Sequence, residues 1–146
     1  MPRLPRSHLD DHAFFHATAR AVSGAELFQD DLDRLDFLQL LRSTTELCEW
    51  RCHAHCLMGT HYHLVLEVRR ERLSEGMRRL NGDYARRFNR RHGRRGHLFD
   101  ERFSSYVVRD ERHLATAIGY VLQNPVRAGL CEHADDWQWS GAAVLG

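Results

Sequence analysis

The sequence predicts an α+β protein of the ferredoxin-like class: β-α-β-β-α-β with a four-stranded antiparallel sheet, then a C-terminal helix and tail. Three observations predict it. WRCHAHCLM and HYHLVLEV are strand-like runs separated only by Gly59-Thr60, the pattern of a hairpin. Two stretches with helical spacing flank that hairpin. HAFFHATARA and FSSYVV supply one more strand at each outer end.

Taken in order, His12 to Ala21 is short and rich in aromatic and apolar residues, which favours a strand. A loop containing Gly24 follows. Asp30 and Asp31 suit a helix start, where carboxylates meet the positive end of the backbone dipoles. Leu32, Leu35, Phe37 or Leu38, and Leu41 then recur at helical spacing to about Glu49. After the hairpin, Leu73, Met77, Leu80, Tyr84 and Phe88 define one apolar helix face, with arginines around the remainder and Gly93 as the stop. Phe103 to Val108 is the fourth strand and Asp110 to Leu122 a third helix, broken at Asn124-Pro125. WQWSGAAVLG is a tail packed through its two tryptophans.

A chain of 146 residues with 42% hydrophobic content is expected to form one domain over 1–146. No run approaches the roughly 20 apolar residues of a membrane helix, and MPRLPRSHLDD lacks the apolar stretch of a secretory signal. Four cysteines without CxxC spacing read as reduced thiols, so a cytoplasmic, nucleoid-associated protein with no membrane partner is expected. All 21 basic residues are arginine. Between Arg69 and Arg102 stand twelve arginines against five carboxylates, a local +7 in a chain whose net charge is +1. That block reads either as a footprint for a polyanion or as a solvated helix face.

Alternate residues of a strand share a face, so His61 and His63 project side by side. Two neighbouring imidazoles can grip a metal ion, or each can be satisfied by a neighbour. They do not complete the shell of a hard cation, so oxygen donors must come from elsewhere. Tyr84, on the apolar stripe of the second helix, points at the sheet. It is either a core tyrosine or a nucleophile for a metal-bound phosphate. A phenol with a pKa of about 10 is a weak nucleophile at neutral pH unless a metal makes phosphorus more electrophilic.

MGTHYHLVLE, LNGDYARRFNRRHGRRGHLFDERF, YVLQNPVRAGL and WQWS, in that order, resemble the REP-associated tyrosine transposases. These are HUH single-tyrosine transposases, relatives of those encoded by small IS200-type insertion sequences. The resemblance runs from FFHATAR to the tail. It implies a metal pair, His61 and His63, and a catalytic Tyr84. That tyrosine would attack single-stranded DNA to leave a 5′-phosphotyrosine and a free 3′-hydroxyl, and a second 3′-hydroxyl would reverse the step. Mg²⁺ or Mn²⁺ is the implied ion. The implied partner is single-stranded or hairpin DNA of palindromic repeats, met by a monomer or homodimer.

Insertion-sequence relatives place a third ligand, a Gln, one turn after the tyrosine. Phe88 stands there in this chain, so Asn89 is the candidate. Met58-Gly59-Thr60 replaces the family's Met-Pro-Asn, and Arg20-Ala21 its Arg-Gly. For DNA, the resemblance and the charge together point to His16, Arg20, Arg86, Arg87, Arg90, Arg91, Arg94, Arg95 and Arg127, with Phe99, Phe103 and Tyr106 as stacking surfaces. The NPVR block reads as mainly structural.

Three other readings stay open. CHAHC and HYH together hold enough donors for a zinc-stabilised binding module, although a regular strand would set His53 and His55 opposite Cys52 and Cys56. A domesticated DNA-binding protein would keep the fold and drop transposition. A metal-dependent nuclease would let water attack and leave Tyr84 as packing.

Overall fold

A computed structural model of the chain describes residues 12–100 and 103–142. Strand β1 (His12–Arg20) leads through a loop to helix α1 (Asp31–Leu47). Strands β2 (Arg51–Leu57) and β3 (His61–Arg69) form the hairpin, and helix α2 (Arg70–His92) follows at once. Strand β4 (Ser104–Val108), helix α3 (Glu111–Leu122), a single turn α4 (Asn124–Arg127) and a two-residue strand β5 (Ser140–Gly141) complete the order. The strands pair antiparallel in the order β4-β1-β3-β2-β5. This is the expected ferredoxin-like sheet with one strand added. The tail, read as packing alone, also pairs with the outer edge of β2. Its last residues, Ala143–Gly146, lie outside the described residues.

The helices form where the residues cap them. Asp30 accepts from the Asp33 backbone N–H and Asp110 from that of His113, so α1 and α3 each begin on a carboxylate. Gly93 closes α2 in the left-handed conformation, at φ 62°. Gly76 serves a different need. A β-carbon there would lie 2.3 Å from Cζ2 of Trp50, whose indole N–H donates to the Arg72 carbonyl at 3.0 Å. The missing side chain lets α2 lie against that indole.

Strand parity divides the molecule in two. Phe15, Ala17 and Ala19 of β1 and Tyr62, Leu64, Leu66 and Val68 of β3 face α1 and α2. With Phe37, Leu41, Met77, Leu80, Tyr84 and Phe88 they make the main core. The opposite face holds a smaller core, where Val121, Leu114, Ala117 and Ile118 of α3 cover Ala54, Cys56 and Val65. The result is three layers, two helices, the sheet, and α3. Among the described residues, no helix is long and apolar enough to cross a membrane.

Candidate functional site

The residues left over on the α3 side of the sheet are polar. His16, Thr18 and Arg20 alternate with the core residues of β1, and His61 and His63 with those of β3. Antiparallel register sets Thr18 opposite His63 and Arg20 opposite His61. The rings of His61 and His63 lie 5.0 Å apart at 80°, as expected for a same-face pair.

His63 is 8% exposed, and its Nδ1 sits 2.9 Å from His16 Nε2 and 3.1 Å from Thr18 Oγ1. Its Nε2 is buried without a partner. Burial, then the neighbouring His61, His16, Arg20 and Arg127, pushes the His63 imidazole down to about 3, so it is neutral at physiological pH. A neutral ring carries one proton. With that proton on Nδ1, facing the ring nitrogen of His16 and the Thr18 hydroxyl, Nε2 presents a bare lone pair. Burial also lowers His16, and burial followed by the Arg20 charge lowers His61. His61 Nδ1 is 3.2 Å from Thr60 Oγ1.

An orphaned, buried imidazole nitrogen beside a second neutral imidazole fits a divalent cation. Among the described residues, no three His, Cys, Asp or Glu side chains gather into a cage. The other coordination positions would therefore fall to oxygen of other kinds, from water, phosphate or a side-chain amide.

A pocket of about 400 Å³ opens over this face, lined by His16, Thr18, Arg20, His63, Asp100, Ser104, Tyr106 and Tyr120. Two phenols line it: Tyr106 on the edge strand β4, and Tyr120 in the last turn of α3 and 51% exposed. The Tyr120 ring lies 5.9 Å from that of His16. The turn of α4 brings Arg127 back over Tyr120, its guanidinium 4.0 Å from the ring centroid and donating to the Tyr120 carbonyl at 2.8 Å. Asn124, one turn after Tyr120, is half-buried and donates from its amide to the Val121 carbonyl at 3.3 Å.

Tyr84 is elsewhere, and this corrects the sequence reading. It is 1% exposed in the main core, on the far side of the sheet from His61 and His63. Its hydroxyl donates to the Leu27 carbonyl at 2.6 Å, and its ring packs on Phe28 and Phe37. Burial, with Asp33 and Asp36 nearby, pushes the phenol well above its ordinary value. Asn89 is corrected with it. Also on α2, it donates to the Gly96 carbonyl at 2.9 Å and accepts from Arg94 at 3.2 Å, shaping the loop after the helix.

The arginines divide in the same way. Arg20 and Arg127 stand at the pocket. Arg91 is bound to Asp30 at 2.8 Å and to the buried Asp33 at 2.6 Å, Arg87 to Asp36 at 3.1 Å, and Arg86 to Asp83. Arg94 donates to the Gly96 and His97 carbonyls. These four are structural links, a use that charge counting does not reveal. Arg90 and Arg95 are exposed, with no carboxylate partner among the described residues. Of the stacking candidates, Tyr106 is 67% exposed at the pocket. Phe99 packs against Tyr62 and Tyr84, and Phe103 against the main core.

The zinc cage also fails to assemble. A bulge between Cys52 and Ala54 turns His53 towards Glu67, at 3.0 Å, while Cys52 stays in the main core.

Tyr120 was the residue missed, and parity was the signal. The face of β3 carrying Tyr62, Leu64, Leu66 and Val68 is the more apolar and takes the two long helices. His61 and His63 must then look towards the third helix, whose tyrosine is Tyr120.

The family model described as IS200-like transposase matches residues 11–124. A curated REP-associated tyrosine transposase of Haemophilus influenzae is 27% identical, over 72% of this chain and 66% of that protein, so the chain spans just under two thirds of it. A solved structure of a REP-associated tyrosine transposase bound to a REP hairpin superposes with a TM-score of 0.73 at 14% identity, covering 88% of this chain and 75% of that one. At that identity the likeness speaks for the fold.

Proposed function

Because the chain belongs to the IS200-like transposase family, we propose that it cuts and rejoins single-stranded DNA beside a hairpin, with Tyr120 as nucleophile and a divalent cation held by His61 and His63. The observation that carries this reading is the placement of Tyr120. It is a half-exposed phenol in the same pocket as His63, whose Nε2 is buried without a partner, on the helix that faces the histidine pair.

His61 and His63 would hold Mg²⁺ or Mn²⁺, with the Asn124 amide oxygen, one turn after Tyr120, as the nearest candidate for a third donor. When bound, the ion would draw charge from the non-bridging oxygens of the scissile phosphate and make its phosphorus more electrophilic. The chain's own residues do the rest. Tyr120 Oη would form a bond to phosphorus as the bond to the 3′-oxygen breaks, and the proton lost by the phenol would end on that oxygen, which leaves as a free 3′-hydroxyl. The 5′-phosphate stays on the tyrosine. A 3′-hydroxyl from another strand attacks the phosphotyrosine, expels the phenol and joins the DNA. Arg127, stacked on the ring, fixes its direction and places positive charge beside it. Arg20 neutralises a neighbouring phosphate. His16 orients His63 through Nδ1. Arg90 and Arg95 remain for the rest of the DNA, through backbone charge alone.

The test is a covalent adduct. The protein is incubated with Mn²⁺ and labelled hairpin oligonucleotides carrying single-stranded flanks, and protein-bound label is measured after denaturation. Tyr120→Phe should abolish the adduct and leave hairpin binding within about twofold. An adduct that persists in that variant rejects the assignment. Binding without an adduct in the unaltered protein would return the reading to a domesticated DNA-binding protein.

A further inference from the structure

The pocket does not end at the nucleophile. Past Tyr120 it runs into a second cavity of about 500 Å³ between β4 and α3. His16, Tyr106 and Tyr120 line both cavities, so they form one trough with the phenol at the junction. Its chemistry changes along its length. The first part carries His63, Arg20 and Asp100. The second is walled by Val107, Val108, Thr116 and Ala117, has no carboxylate among its lining residues, and adds Arg109 and His113 to the shared His16, Tyr106 and Tyr120.

Tyr106 is 67% exposed on the edge strand, with its ring 6.2 Å from that of His16 and tilted by 52°. Neither core uses it. His113 is steadied from one side, its Nδ1 lying 3.3 Å from Asp110 Oδ1, which leaves Nε2 for another partner.

A nucleic-acid strand alternates an anion with a flat heterocycle. With a phosphate at Tyr120, the adjoining base has to lie within one nucleotide of the phenol. The polar end of the trough suits the phosphate, and the apolar, aromatic end suits the base. We propose that the trough between β4 and α3 is a nucleobase subsite: the base adjoining the scissile phosphate leaves its stack, lies on the Tyr106 ring, and meets His113 Nε2 with its edge. The inference rests on the cleavage reading above and names the substrate feature that the site selects. Stacking on a phenol accepts any base, so Tyr106 sets position and His113 supplies preference.

The experiment uses the full chain and a panel of hairpin oligonucleotides with single-stranded flanks. Each nucleotide near the cleaved bond is replaced in turn by an abasic residue or by 2-aminopurine. In the unaltered protein, an abasic residue at one position next to the cleaved bond should lower the rate of adduct formation at least tenfold. Tyr106→Ala should start at that lower rate and show no further loss with the abasic strand, while Tyr106→Phe keeps the full response. 2-Aminopurine at that position should be quenched on binding to the unaltered protein and not to Tyr106→Ala. An abasic penalty of equal size in both proteins, or quenching that survives Tyr106→Ala, overturns the subsite. Because Tyr106 is exposed and outside both cores, the variant keeps its fold, which circular dichroism checks. Adduct formation on intact strands by the protein with Tyr106 unaltered reports on Tyr120 alone, so the two readings fail separately.

Discussion

Tyr62 and His63 are adjacent in the chain and serve opposite sides of the sheet. The Tyr62 phenol donates to Asn81 Oδ1 at 2.6 Å beneath α2, whereas the His63 ring meets His16 at 2.9 Å on the α3 side. One step along a strand thus separates the residues that hold the fold from those that face the pocket. It also decides which helix can bring a tyrosine to the pocket.

Tyr84→Phe separates the two phenols. It removes the hydrogen bond to the Leu27 carbonyl and leaves that buried oxygen unpaired. The expected cost is about 1–2 kcal/mol of stability, measured by urea unfolding. Adduct formation should be unchanged. A Tyr84→Phe protein that folds normally but forms no adduct would restore the assignment corrected above.

Metal binding should follow the imidazoles. Mn²⁺ titration monitored by electron paramagnetic resonance should show binding in the unaltered protein, lost in His63→Ala and in His61→Ala. His16→Ala should weaken affinity by roughly 10–100-fold, because the partner that fixes the His63 tautomer is gone. Equal uptake by His63→Ala and the unaltered protein would remove the site.

Acid should destabilise the fold through its neutral histidines. In the folded chain His63 stays neutral down to about 3, and burial lowers His16, His55 and His61 as well. Unfolded histidines take up protons near pH 6.5. Below that pH the unfolded state binds more protons than the folded state, so stability falls as pH drops from about 6.5 towards 3. Melting temperatures recorded in chelator between pH 7.5 and 5 should decline, and His63→Gln should flatten the decline. A curve for His63→Gln with the same slope as the unaltered protein counts against the neutral ring.

Two arginines should behave differently. Arg91→Ala leaves the buried Asp33 carboxylate with His92 and the Gln29 amide. A clear loss of stability is expected, smaller than for a fully buried pair because Arg91 is about a third exposed. Arg20→Ala should leave stability alone, weaken DNA binding at all sequences alike, and make its salt dependence shallower. Filter binding across a salt series, with melting curves alongside, reads both.

Most of the fold was legible because its signals are local. The hairpin, the carboxylate caps at Asp30 and Asp110, and the Leu73–Phe88 stripe all lie where spacing predicts. The HYH pair was legible for the same reason. Tyr84 misled because a tyrosine on an apolar stripe looks the same from either side of a sheet. Only the count of apolar residues on each face of β3 says which side the helix covers. Arg87 and Arg91 were hidden as structural links because their partners, Asp30, Asp33 and Asp36, are about fifty to sixty residues away. β5 was hidden because two residues carry too little pattern to read as a strand.

Helix α3 is joined to the sheet mainly through the smaller core, around Val121, Ala54, Cys56 and Val65, and through the Tyr120 ring beside His16. Lifting it costs far less than disturbing α1 or α2, since few apolar side chains are re-exposed. Under the proposed cleavage, a tyrosine bonded to a DNA end would be carried on the lightly held helix, while both imidazoles belong to a central strand of the sheet. In that reading the seam between α3 and the sheet is the place to look for control over when the two strands meet.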